Sequence, residues 1–198
     1  MNKNETLVTA AFLVIGAILN YGYPVVAESL SIPAGIEFVI VAYCLVVMLV
    51  SLHLAEVLGI GLFSGILNIL SNPVHVATLL GGQIFTTAGF MAFVNLVSEP
   101  VGIVVCFFAF AYLAGRVRTG APFGAAFAAT IASGLVYLLV VLYLSPGLMA
   151  AQPAFTGSFL FRVTVAAITN AIVVQVLFLA ISRPVKKYLG PVPGNPRV

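Results

Sequence analysis

VHVATLLGGQIFTTAGFMAFVNLVSE, residues 74–99, is the stretch on which the fold turns. It is apolar enough to be counted as a membrane crossing. It also carries His75, Thr78, Gly81-Gly82-Gln83, Thr86-Thr87, Gly89 and Asn95, with Pro73 before it and Pro100 behind it. The apolar stretches on either side are cleaner. Whether residues 74–99 cross or not fixes the parity of the chain.

The surroundings leave no doubt about the solvent. The chain has 198 residues, of which 62% are hydrophobic and 7% charged, and its mean hydropathy is +1.21. A soluble domain carries about a quarter charged residues, so this chain is built for lipid. It has no aspartate and five glutamates, Glu5, Glu28, Glu37, Glu56 and Glu99. The net charge of +3 comes from basic residues flanking apolar runs. No basic run with interleaved aromatics is present, which excludes a nucleic-acid partner. Cys44 and Cys106 sit in apolar runs and read as small hydrophobes. No CxxC or Cys/His cluster indicates a metal, and no cofactor motif occurs. Residues 1–6 followed by Leu7–Leu19 have the outline of a signal peptide, but Asn20-Tyr21-Gly22-Tyr23-Pro24 is a poor cleavage site, so a retained first helix is expected.

That helix is expected from Leu7 to about Tyr21, ended or kinked by Pro24. Residues 35–70 are about twice as long as a bilayer core is thick, which predicts two helices, 35–52 and 55–70, broken at His53-Leu54-Ala55-Glu56. His53 and Glu56, spaced i, i+3, suit a turn or cap. Gly61-x-x-x-Gly65 permits close helix contact. Ser98-Glu99-Pro100 is expected to interrupt the chain before an apolar helix over 101–115. A further helix spans 121–144, with Pro122 in its first turn and small residues at Ala121, Ala125, Ala129 and Ser133. The last runs from Ser158 to Ser182, stopped by Arg183-Pro184, with Lys186 and Lys187 beyond it. A single transmembrane helical domain over 1–189 and a Pro/Gly-rich disordered tail over 190–198 are expected.

Basic residues flanking membrane crossings stay in the cytoplasm. Lys3, Arg116, Arg118, Arg183, Lys186 and Lys187 should therefore share one side. Seven apolar segments would separate them. Six keep them together, with both termini cytoplasmic at the plasma membrane, and the segment that fails to cross is then the polar one, 74–99. The expected fold is an all-α bundle of six transmembrane helices with a non-spanning outer lid or re-entrant segment; seven crossing helices is the alternative. Non-helical backbone at that depth needs protein or a wet cavity around it.

Polar side chains then gather in the outer half: Asn20, Tyr21 and Tyr23, then Glu37, Asn68, Asn72, His75, Gln83 and Thr86, and Arg162, Asn170 and Gln175 on the last helix. Arg162 has two readings. A guanidinium there can clamp a carboxylate or phosphate, or it can snorkel to headgroups or pair with Glu37 or Glu28. Asn170, mid-helix, is a site candidate or a helix-to-helix hydrogen bond. The substrate-binding candidates are Arg162, Asn170, Asn72, His75, Gln83, Tyr21 and Glu37. No catalytic constellation is recognisable: His-Glu-x-x-His is absent, and Gly61-Leu62-Phe63-Ser64-Gly65 has no histidine in a partner helix. The chain reads as a non-enzyme.

Three passages carry a resemblance. Leu58-Gly59-Ile60-Gly61-Leu62-Phe63-Ser64-Gly65-Ile66-Leu67 resembles the glycine-rich third helix of the substrate-binding S components of energy-coupling factor transporters. Ala111-Tyr112-Leu113-Ala114-Gly115-Arg116 resembles the end of their fourth helix. Val165-Ala166-Ala167-Ile168-Thr169-Asn170-Ala171 through Lys187 resembles their last helix and basic tail. The resemblance implies a receptor that binds a vitamin or similar small micronutrient. It also implies a separate transmembrane coupling protein and two ATPase subunits, in keeping with the lack of a Walker motif here. Ligand positions implied are Tyr21–Pro33, Asn72–Asn95, 145–157, Arg162 and Asn170. Family members usually carry Ala-x-x-x-Ala in the first helix for docking. This chain has Ala10, Ala11, Gly16 and Ala17 instead, so Ala10 and Ala11 together with Ala121, Ala125 and Ala129 are the candidate docking residues. The histidine-led N-terminus of the metal-transporting members is absent. A membrane scaffold that binds partner helices, or a stand-alone secondary transporter, are the alternative functions.

Overall fold

The computed structural model describes residues 1–29, 35–82, 87–117, 119–144 and 155–189. All seven elements it describes are α-helices: α1 (Lys3–Ser29), α2 (Phe38–Leu49), α3 (Leu54–Ser71), α4 (Pro73–Leu80), α5 (Thr87–Ala114), α6 (Ala121–Leu144) and α7 (Phe155–Leu189). Five of them, α1, α3, α5, α6 and α7, are long and apolar enough to cross a membrane. The protein is a multi-pass, all-α membrane protein.

The five long helices form a ring. Each packs on the next in the order α1, α3, α5, α6, α7, and α7 returns to α1. The short helix α2 touches all five and stands at the centre. Its sequence explains the position. FVIVAYCLVVML is apolar on every side, and a helix apolar all round belongs inside a bundle or in lipid. Every residue from Val39 to Leu49 is buried. The ring helices instead turn apolar side chains outward, among them Leu7, Ile18, Leu70, Phe108, Leu139, Phe161 and Leu179. No α2 residue appears among the exposed large hydrophobic side chains.

Close approach is set by small residues. A Cβ on Gly61 would stand 2.7 Å from Pro100 Cα, and one on Gly65 would stand 2.6 Å from the Asn95 carbonyl oxygen. The Gly61-x-x-x-Gly65 face therefore seats α3 directly on the α5 backbone. Ala121, Ala125 and Ala129 are buried inside the ring, and Gly124 beside them is closed on by Leu113 of α5. Ala10 and Ala11 lie on the outer surface of α1. Glu56 accepts a hydrogen bond from the His53 backbone N–H at 2.9 Å, capping α3 as the i, i+3 spacing anticipates, and pairs with the Met1 ammonium.

Several boundaries differ from the sequence expectation. The 74–99 stretch divides into α4, a turn with Gly82 at φ 72°, and the first part of α5. Ser98-Glu99-Pro100 does not interrupt the chain, because α5 runs through Pro100 without a break. Pro24 and Pro184 are likewise carried inside α1 and α7. A proline removes one backbone donor, but in lipid a break would leave further backbone groups unsatisfied, so the helix runs on through it. Lys186 and Lys187 consequently lie in the last turn of α7, not beyond it.

Candidate functional site

The depth of α2 builds the site. Twelve residues give a helix about 18 Å long, against about 30 Å of hydrocarbon. Its N-terminal end is tied to the middle of its neighbours. The Glu37 backbone N–H donates to Asn170 Oδ1 at 2.9 Å, and Thr169 Oγ1 donates to the Gly35 carbonyl at 2.7 Å. Asn170 Nδ2 in turn donates to Thr130 Oγ1 at 3.3 Å, and Thr130 Oγ1 to the Ala126 carbonyl at 3.0 Å. Thr130 is the tenth residue of α6, so it stands only about 14 Å along a helix about 36 Å long. Helix α2 thus begins part-way along its neighbours.

Glu37 marks that start. It is the N-cap of α2 and makes no side-chain cap hydrogen bond. Its carboxylate has no hydrogen-bond or ion-pair partner among the described residues. It is hemmed in by protein yet keeps more than a third of its surface accessible. Two aromatic pairs lie on the helices that meet there. Phe38 follows Glu37 in the chain and meets Tyr23 of α1 edge-on at 5.4 Å, while Tyr137 of α6 lies within electrostatic reach of Glu37 and stacks on Phe159 of α7 at 5.8 Å.

A second carboxyl group is buried within the bundle. Glu99 on α5 is 1% exposed. Its Oε1 accepts from Asn68 Nδ2 at 2.9 Å, and its Oε2 has no partner. Tyr43 of α2 is fully buried, and its hydroxyl is also unpartnered. That hydroxyl occupies the gap left by Gly102, where a Cβ would come within 2.5 Å of it. Gly102 is three residues after Glu99 and shares its helix face. Tyr43 and Glu99 act on each other electrostatically without closing a hydrogen bond of good geometry, and Glu37 acts on both.

The expected site residues fall in different places. Glu37 and Asn170 are brought together directly. Asn170 holds the start of α2 and ties it to α6, which is the helix-bonding role among its two readings. Asn72 ends α3, and its Oδ1 accepts from the His75 backbone N–H at 3.4 Å. His75 is half-buried on α4 with Nδ1 unpartnered, and burial holds its imidazole below the ordinary histidine range. Tyr21 is exposed and lines an open groove of about 260 Å³ between α1 and α3, with Ile18, Leu67 and Leu70. This groove, and a second of about 330 Å³ that includes Ala10 and Phe63, both lie away from Glu37 and Glu99. Arg162 is exposed near the start of α7 and forms no ion pair with a described residue; the Met1–Glu56 pair is the one among them. Gln83, Thr86, Arg118, Pro33, the 145–154 segment and the 190–198 tail lie outside the described residues, as does the Glu28 side chain.

Glu99, Tyr43, Thr130 and Thr169 are additions from the structure. A signal for Glu99 was present in the sequence: it is the one ionisable carboxylate in the 87–114 stretch, and a charge in a spanning helix is a functional candidate by default. Nothing local distinguishes Tyr43, Thr130 or Thr169. Among the described residues no three His, Cys, Asp or Glu side chains gather to hold a metal. No family model, curated protein or solved structure matches this chain.

Proposed function

We propose that this chain is the membrane-embedded binding subunit of an uptake system for a vitamin or similar small micronutrient, served by a separate coupling protein and ATPase subunits. The observation that carries the reading is the short central helix that starts at Glu37, held there by Asn170, inside a ring of five long helices. Ligand pockets in helical membrane proteins favour this kind of place, where a discontinuous helix ends near the midplane.

Chain direction supports the orientation. Helices alternate, so Lys3, Arg116, Arg183, Lys186 and Lys187 come to one end of the bundle, the end towards which α2 runs from Glu37. Under the rule that basic flanks stay inside, the start of α2 at Glu37 lies towards the outside of the plasma membrane, and α2 with the five long helices gives six passes with both termini cytoplasmic. α4 and the stretch leading to α5 then lie at the outer end, as a lid would. Exposed Ala10 and Ala11 leave α1 the natural docking side for a coupling protein. Native mass spectrometry of the purified chain tests the proposal: a small molecule retained without ATP is expected, and a bare protein that binds no small molecule would refute it.

Glu99 favours a second reading, a stand-alone proton-linked transporter, since buried carboxyl groups in spanning helices serve proton relays. Uptake by liposomes holding this chain alone, driven by a pH gradient, would select that reading over the first.

A further inference from the structure

We propose that Glu99 is a proton-binding site: its carboxyl group carries a proton in the resting fold and exchanges that proton with water along the polar edge of α3. The inference goes beyond the binding-subunit reading and does not rest on it, because it concerns the state of one side chain and not the cargo.

The site is built on the seam between α3 and α5. Glu99 lies within Phe90–Ala114, the part of α5 long and apolar enough to span, and is 1% exposed. Its Oε1 accepts from Asn68 Nδ2 at 2.9 Å, and its Oε2 has no partner. A carboxylate in such a place needs a cation to offset its charge. Helices α2 to α6 contain no lysine or arginine. The titratable groups on the helices packed against α5 are Tyr43 and Cys44 on α2, with Glu37 just before it, Glu56 on α3, His75 on α4, and Tyr137 and Tyr143 on α6; α5 itself adds Cys106 and Tyr112. Glu56 is taken by the Met1 ammonium, and that is the one ion pair among the described residues, so His75 forms none.

The remaining neighbours are neutral. The Tyr43 hydroxyl occupies the gap at Gly102, where a Cβ would stand 2.5 Å from it and 3.0 Å from Ser133 Cβ of α6. Gly102 follows Glu99 by three residues and shares its face of α5. One amide and one phenol do not balance a buried charge, whereas a proton does, and a group that cannot be charged in place takes its neutral form. The neutral acid still offers Asn68 an oxygen that accepts.

Hydrogen bonds draw the path for exchange. Ser71, the last residue of α3, accepts from Asn20 Nδ2 of α1 at 3.0 Å and donates to the Asn68 carbonyl at 3.4 Å. Asn68 then donates to Glu99. Asn68 and Ser71 are three residues apart and share a face of α3, and Ser71 lines the open groove of about 260 Å³ between α1 and α3. A polar edge therefore runs from the end of α3 inward to the carboxyl group. Along it the O–H bond of Glu99 breaks to water and re-forms with a proton from water, leaving no net charge behind.

The test is infrared spectroscopy of the full chain in liposomes at neutral pH. A protonated carboxyl group absorbs at higher frequency than the amide bands, and a carboxylate does not. Expected is a protonated-carboxyl band in the native chain that is lost in Glu99→Gln. In heavy water that band should move to lower frequency before the core amides of α2 exchange. Glu99→Gln has the shape of the neutral acid and keeps the oxygen that Asn68 reaches, so it should accumulate and melt as the native chain does; failure to accumulate counts against the proposal. Identical spectra for the native chain and Glu99→Gln overturn it. A band that heavy water leaves in place until the α2 amides have exchanged overturns it as well. Uptake driven by a pH gradient is a separate measurement, so the transporter reading and the proton site can fail independently.

Discussion

Helices α1 and α2 are both apolar, yet they use that apolarity for opposite ends. Helix α2 buries everything from Val39 to Leu49 in protein. Helix α1 shows Leu7, Ile18 and Leu19 to the outside, with Ile18 65% exposed. One is a core element that happens to lie in a membrane protein, and the other is a lipid-facing wall. The difference teaches that hydrophobicity alone does not locate a helix in lipid, because lipid and protein interior are equally good solvents for leucine. Length separates them here. α1 is long enough to meet water at both ends, whereas α2 begins part-way along its neighbours and needs Asn170 and Thr169 to satisfy its entry.

The largest expected effect breaks that comparison at its centre. Leu45→Ala should destabilise the protein by about 2–5 kcal/mol, the usual range for a core cavity, while Ile18→Ala on α1 changes the melting temperature little. Equal effects at the two positions would mean that α2 is not the core. Next in size is the α3–α5 seam. Gly65→Ala forces a Cβ onto the Asn95 backbone, which cannot rotate away, and should cost about 1–3 kcal/mol. Gly59→Ala, with open space around it, should be neutral or stabilise by up to about 1 kcal/mol. Thermal melts in detergent distinguish all four variants.

Asn170→Ala sharpens the same contrast at the entry to α2. It leaves the Glu37 N–H without its acceptor in a part-buried place, for an expected loss of about 1–3 kcal/mol. Hydrogen exchange at the start of α2 should accelerate and that within α1 should not. The smallest effect concerns α4, outside the core. Burial depresses the His75 pKa, so the unfolded chain takes up a proton that the folded one resists. That contribution to stability is intact above about pH 6.5 and is lost as pH falls from there towards the lower folded value. His75→Gln should remove this part of the acid sensitivity, seen as a shallower fall of melting temperature below that pH.

Much of the architecture was legible in the chain. The break at His53–Glu56, the glycine face of α3, the turn after Gly115 and the start of α6 at Ala121 follow from local chemistry alone. The prolines misled because rules learned in water treat Pro100 as a stop, and in this setting α5 continues and Gly61 fits α3 against it. The true extent of α2 was hidden because its 35–52 surroundings are uniformly apolar, and only the tertiary bond from Asn170 shows where the helix begins. Asn170 and Glu37 were legible as polar residues out of place; that they meet was not, because 133 residues separate them. Glu99 was overlooked beside the proline that seemed to explain it.

The central claim is that Glu37, at the start of the central helix, is reached from the end of the bundle away from the basic residues. Thiol labelling tests it most directly, with Cys44 and Cys106 replaced by alanine and Glu37→Cys as the lone thiol in intact cells. A small membrane-impermeant reagent added outside should modify position 37. Protection from the outside reagent, with modification only from the cytoplasmic face of inverted membranes, would contradict the account.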